Sequence, residues 1–193
     1  MIRTLQRNLQ VAMLALGAIC APVQGISDPV AKPVLELLRD AQLFGSGTMR
    51  WFGLKIYDAQ LWVKAEGFDP DRFANSPFIL ELHYARSLSG VAIAKASDEQ
   101  IARLRPTASD RRQRWLQAMS NLFPDVVEGD RIAGLNRPGV GARFFLNGKP
   151  IGDIDDPAFA GAFFAIWLDP NTSEPGLRAR LLSGAKAAEP RRP

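Results

Sequence analysis

The sequence predicts an α+β fold in which a twisted antiparallel sheet carries helices on one face. Segments alternating apolar and polar residues recur before and after two helix-length segments, and two more helical segments close the chain. The composition, 47% hydrophobic and 23% charged, suits one well-buried domain.

Residues 1–25 read as a cleavable secretory signal peptide. Arg3 and Arg7 precede the apolar run Val11 to Ala21, which is too short for a spanning helix, and Val23 and Gly25 suit cleavage before Ile26. Ile19 argues against Cys20 as a lipid-attachment site. Cleavage removes the only cysteine, so the expected mature protein has no disulfide and no thiolate metal site. These features predict a periplasmic or secreted protein without a stable membrane anchor. The domain is expected over residues 26–185, with a flexible basic tail at 186–193.

Past Pro33, Val34, Leu37, Leu38 and Ala41 recur at helical spacing, and Gly45 and Gly47 are expected to end that short helix or turn. Thr48 to Val63 reads as two strands joined by a type II′ turn at Gly53-Leu54. A loop over 67–77 leads to a strand from Phe78 to Arg86, whose Phe78, Leu80, Leu82 and Tyr84 should face the core. Helices are expected from Ser89 to about Arg105 and from Ser109 to the stop at Phe123-Pro124. Asp130–Leu135 and Ala142–Leu146 form a hairpin, and Asn147-Gly148 is the strongest turn signal, ahead of a brief strand at Ile151. Asp156 caps a helix begun by Pro157, and a last helix runs from Pro175 to Leu182.

Several chemistries lack their parts. Without Arg3 and Arg7 the chain keeps 22 basic side chains against 20 acidic ones, too weak a balance to imply a nucleic-acid partner. His83 is the only histidine, and its strand parity sets it opposite the core-facing residues, exposed or packed on the sheet. Asp153, Asp155 and Asp156 lack calcium-loop spacing, and Gly139-Val140-Gly141 precedes no helix that would hold phosphate. No metal and no cofactor is expected.

The first hairpin is the informative place. A turn at Gly53-Leu54 would set Arg50 opposite Tyr57 and Thr48 opposite Ala59, on a face shared with Phe52, Leu61 and Val63. A guanidinium buried on that face needs an anion, which is either a protein carboxylate or a ligand; otherwise the face is exposed.

The segments Gly45–Arg50, Lys55–Val63, Leu88-Ser89-Gly90 and 147–182 resemble the chalcone isomerase-like superfamily. The stretches FGLKIYDA, FPDVVEGDRIAG and FFAIWLDPNTSEPGLRARLL resemble its bacterial exported branch. The resemblance implies an open-faced β-sandwich with a ligand cleft between sheet and helices. It matches Arg50 to the arginine that the plant enzymes use in cyclising chalcones, and it sets Ile93 and about Gln100 where those enzymes carry a tyrosine and an asparagine. An isoleucine donates no hydrogen bond. Fatty-acid-binding members keep the arginine and carry a tyrosine at the place of Tyr57.

The first reading is therefore a non-catalytic binder of a fatty acid or another small amphipathic carboxylate, held by Arg50 and Tyr57 with Thr48 beside them. The alternative is an isomerase or intramolecular lyase acting on a phenolic or enone substrate, with Arg50 as its candidate catalytic residue. A third is an accessory protein whose cleft serves a partner.

Overall fold

The computed structural model describes residues 32–64 and 68–184. The signal segment 1–25, with Cys20, and the tail 186–193 lie outside the described residues. A short helix α1 (Lys32–Leu35) leads into β1 (Ala41–Trp51) and β2 (Leu54–Lys64). A 3-10 helix (Pro70–Asn75) precedes β3 (Phe78–Tyr84) and the helices α2 (Gly90–Leu104) and α3 (Ser109–Leu122). Then come β4 (Arg131–Arg137), β5 (Gly141–Leu146), β6 (Lys149–Ile154), α4 (Pro157–Leu168) and α5 (Pro175–Leu181). The six strands form one antiparallel sheet in chain order, so every sheet neighbour is also a sequence neighbour.

Helix ends follow local chemistry. The Ser89 hydroxyl accepts the Ala92 N–H at the start of α2, and the Asp156 carboxylate accepts the N–H groups of Ala158 and Phe159 at the start of α4. Each supplies one of the acceptors that a helix start lacks. Trp115 donates its indole N–H to the other oxygen of Asp156 at 2.8 Å, tying α3 to that cap.

Strand alternation divides the sheet between two cores. Ala59, Leu61 and Val63 on β2, Phe78, Leu80 and Leu82 on β3, and Phe144 on β5 bury against α4, whose Phe159, Phe163, Phe164 and Trp167 interlock with them. The opposite face carries a smaller cluster, in which Val34 and Leu38 cover Ile79, Ala133, Leu135 and Phe145.

Two expectations for the amino-terminal part are corrected. Gly45 and Gly47 do not end a helix: β1 runs through both, and α1 stops at Leu35, well short of Ala41. The glycines are there because α5 crosses β1. A Cβ at Gly45 would overlap the backbone carbonyls of Arg180 and Leu181, and one at Gly47 would lie 2.8 Å from Leu177 Cδ1. The first hairpin also turns one residue earlier than expected, at Phe52-Gly53, both at positive φ (46° and 79°), the type I′ arrangement.

Candidate ligand cleft and the opposite face

The shifted turn redistributes the predicted site. Trp51 pairs with Leu54 and Arg50 with Lys55; a bulge follows, after which Met49 pairs with Tyr57 and Thr48 with Asp58. A one-residue slip moves side chains to the other face of a strand. Arg50 therefore does not meet Tyr57. It is exposed at the turn, where its Nη1–H donates to the Gly53 carbonyl at 3.1 Å. Thr48 lies on the face opposite the main core and donates to Asp58 Oδ1 at 2.6 Å. Of the three residues, Tyr57 alone reaches the cleft between sheet and helices.

That cleft has a volume of about 180 Å³. Strands β2 and β3 supply Ile56, Tyr57, Leu82 and Tyr84. Helix α2 presents Ile93, Ser97 and Gln100, and α4 presents Phe163, Ile166 and Trp167, both at the three- and four-residue steps that keep side chains on one helix face. The two positions matched to the plant tyrosine and asparagine, Ile93 and Gln100, thus line the same cleft as Tyr57, with Arg50 as the outlier.

Several polar groups around the cleft are already engaged, Gln100 Oε1 by Arg103 and Ser173 outside it. Trp167 Nε1–H donates to the Tyr57 hydroxyl at 3.1 Å, and the Ser97 hydroxyl donates back to the Ile93 carbonyl at 2.9 Å. The Tyr57 and Tyr84 rings meet edge to face with centroids 6.0 Å apart. Burial pushes the Tyr57 phenol up to about 12, with the Trp167 N–H pulling the other way and Glu174 adding to the rise. Burial, and then the neighbouring Tyr57, also push the Tyr84 phenol up. Both are neutral at ordinary pH, and no Asp, Glu, Lys or Arg is among the cleft-lining residues.

The other face of the same strands holds a polar hollow of about 250 Å³. Asp58 pairs with His83, and His83 with Arg131, across three strands. Glu81, only 3% exposed, receives Arg131 Nη1 at 3.3 Å. Burial raises its carboxyl to about 7 despite the pull of Arg131. Burial also pushes Asp58 up, but the donors Lys55 and Thr48 outweigh it and hold this carboxyl below the usual range. The acidic run is structural: Asp153 accepts from Nε and Nη2 of Arg143, each at 2.7 Å, and Arg137 bridges to Asp153 and Asp155. Among the described residues, no group of three or more His, Cys, Asp or Glu is placed to hold a metal ion.

Of the helical wall only Ile93 and Gln100 were expected, from the resemblance; the α4 side chains and the hollow were not. The spacing of Phe163, Ile166 and Trp167 was a usable signal for the first. For the second, aligning β2 with β3 sets Asp58 beside His83, which was visible once the strands were paired.

Comparison with known proteins agrees with this architecture. A Haemophilus influenzae protein described as uncharacterized is 27% identical over 146 residues, which cover 76% of this chain and 70% of that protein. The crystal structure of an Arabidopsis thaliana fatty-acid binding protein superposes with a TM-score of 0.62 at 14% identity, covering 77% of this chain and 90% of that one, a likeness of fold. The family described as Chalcone isomerase-like matches residues 25–183. The chain belongs to the chalcone isomerase-like family.

Proposed function

We propose that this protein binds a small apolar or amphipathic molecule, of the fatty-acyl class, in the cleft between sheet and helices and releases it unchanged. The carrying observation is the character of the cleft: aliphatic and aromatic walls, neutral phenols, and hydrogen bonds already made by Tyr57, Trp167 and Ser97. The fold shared with a fatty-acid binding protein supports the ligand class. At about 180 Å³ the cleft falls below the ~300–1,000 Å³ usual for drug-sized ligands, so it fits a short acyl chain, one ring or the end of a longer chain.

A carboxylate head group is not buried on Arg50 in this reading; it stays at the cleft mouth, in water. The isomerase alternative is disfavoured by the same geometry, since the cation it needs is at the turn and Ile93 stands where a donor is required. The signal-like residues 1–25 support a place outside the cytoplasm, which amino-terminal sequencing of protein from its own host tests: an intact Met1 refutes it.

The functional test is calorimetric titration of delipidated protein with octanoate and palmitate. Binding of the shorter acid that Ile93→Trp abolishes, with the fold kept, supports the cleft. No binding of either acid, or binding that ignores Ile93→Trp, refutes it. Hydroxychalcone turnover well above background would move the protein to the isomerase class.

A further inference from the structure

The tip of the first hairpin combines three features that its fold does not need. Phe52 is 88% exposed, with Trp51 at 64% and Leu54 at 52%, so three large apolar side chains stand in water at one turn. Phe52 also has φ 46°, in the left-handed region where a bulky residue is an outlier. The other two-residue turn in the sheet gives the corresponding place to Asn147, at φ 50°, a residue that tolerates this conformation. Phe52 therefore carries backbone strain, and the ring it packs on, Trp51 at 5.1 Å, is itself mostly exposed.

Cations flank these side chains. Arg50 and Lys55 pair directly across the strands below the turn. Arg50 is exposed, its guanidinium bonded to the tip carbonyl of Gly53. The Lys55 side chain is 42% exposed and bridges to Asp58 at 2.6 Å, which leaves Arg50 as the stronger cation of the pair. Ala85 donates its N–H to the Ile56 carbonyl, which brings the backbone of neighbouring Arg86 to the same end of the sheet. An indole and a phenyl ring above a basic collar match a membrane interface, where aromatic rings settle at head-group depth and basic side chains meet anionic lipid. Among the described residues no helix is long and apolar enough to cross a membrane.

We propose that the Trp51-Phe52-Gly53-Leu54 tip docks the protein reversibly on an anionic phospholipid surface. Ile56 and Tyr57, a few residues down the same strand, line the cleft, so docking brings that wall of the cleft close to the lipid. The proposal rests on the exposure, strain and charge of the tip and does not depend on what the cleft binds.

Co-sedimentation of the mature protein with phosphatidylcholine vesicles, with and without one third phosphatidylglycerol, tests it. Binding to the anionic vesicles is expected, weakened about fivefold by Arg50→Gln and by more than that without phosphatidylglycerol, which removes the partner of every cation at the tip. Phe52→Asn should weaken it by at least about tenfold while raising Tm, because asparagine relieves the strained turn. Ile93→Trp should leave vesicle binding unchanged, which separates this proposal from the cleft reading. Absence of binding to anionic vesicles overturns the proposal, as does Phe52→Asn binding like the unaltered protein. A dimer in sedimentation equilibrium that Phe52→Asn dissolves, with no vesicle binding, assigns the tip to a second copy of the chain and overturns it too.

Discussion

The two faces of the one sheet solve opposite problems. On the helix-covered face, alternate residues of β2, β3 and β5 meet the rings of α4, and the space left over is an apolar cleft. On the other face, β3 and β5 offer Ile79 and Phe145 to the α1 region, and β1, β2 and β3 offer Thr48, Asp58, Glu81 and His83 to a polar hollow. A residue's face, more than its type, decides whether its neighbours are aromatic rings or charges. Misplacing a strand by one residue therefore changes the chemistry assigned to every side chain on it.

The largest test of this asymmetry uses consecutive residues. Phe144 touches Phe123 and Phe163 in the main core, with ring centroids 5.1 and 5.3 Å away; Phe145 joins the smaller cluster. Phe144→Ala is expected to cost about 3–5 kcal/mol and Phe145→Ala about 1 kcal/mol less, because the thinner cover over Phe145 can relax into the gap. Equal losses in urea unfolding would mean that the two cores are equally rigid.

Glu81 gives the next effect. The folded protein keeps this carboxyl protonated up to about 7, while the unfolded chain loses the proton near 4.5. Its stabilising contribution is therefore full below about 4.5 and is lost as pH rises through 7. Glu81→Gln, a mimic of the protonated acid, should be more stable than the unaltered protein by about 2–3 kcal/mol at pH 8 and indistinguishable from it near pH 4.5. A variant less stable at pH 8 would show that the ion pair with Arg131 outweighs the burial of the charge.

Two smaller changes compare hydrogen bonds across the sheet. Tyr57→Phe leaves the indole N–H of Trp167 without its acceptor in an apolar cleft and should cost about 1–2 kcal/mol. Thr48→Val removes one of two donors to Asp58, which keeps Lys55 and partial access to water, so about 0.5–1 kcal/mol is expected. A Thr48→Val cost above that of Tyr57→Phe would reverse the ranking of the two faces.

Legibility in the sequence followed how local the determining physics was. Ser89, Asp156, Pro157 and Asn147-Gly148 act through adjacent backbone atoms, and the elements they start or turn lie where they indicate. The strand from Phe78 was readable from its alternation, as was the orientation of Tyr84 toward the core. Gly45 and Gly47 were misread because their reason is α5, more than 120 residues away in the chain. The site failed at Phe52. Turn chemistry favours Gly53 as the first residue of a type II′ turn over a phenylalanine at positive φ, and only the whole structure shows the strained choice. The cleft could be placed from the resemblance through Ile93 and Gln100, whereas the position of Arg50 at the turn, outside the cleft lining, could not be read without the turn and the bulge beside it.

The crossing of α5 over the two glycines of β1 has a kinetic consequence. All five strand pairings join consecutive strands; β1–β2, β4–β5 and β5–β6 close over short turns, while β3–β4 closes over α2 and α3. The contact of Gly45 with Arg180 and Leu181 instead closes nearly the whole domain, and α5 leaves the ribosome after every strand. Docking of α5 is thus expected as the final folding step and, in reverse, as the first opening under native conditions. In native-state hydrogen exchange the amides of Arg178 and Leu182, bonded to the carbonyls of Glu174 and Arg178, should exchange through a low-energy opening. The β3–β4 ladder should be released only by global unfolding, leaving β1 transiently as an uncovered sheet edge whenever α5 lifts away.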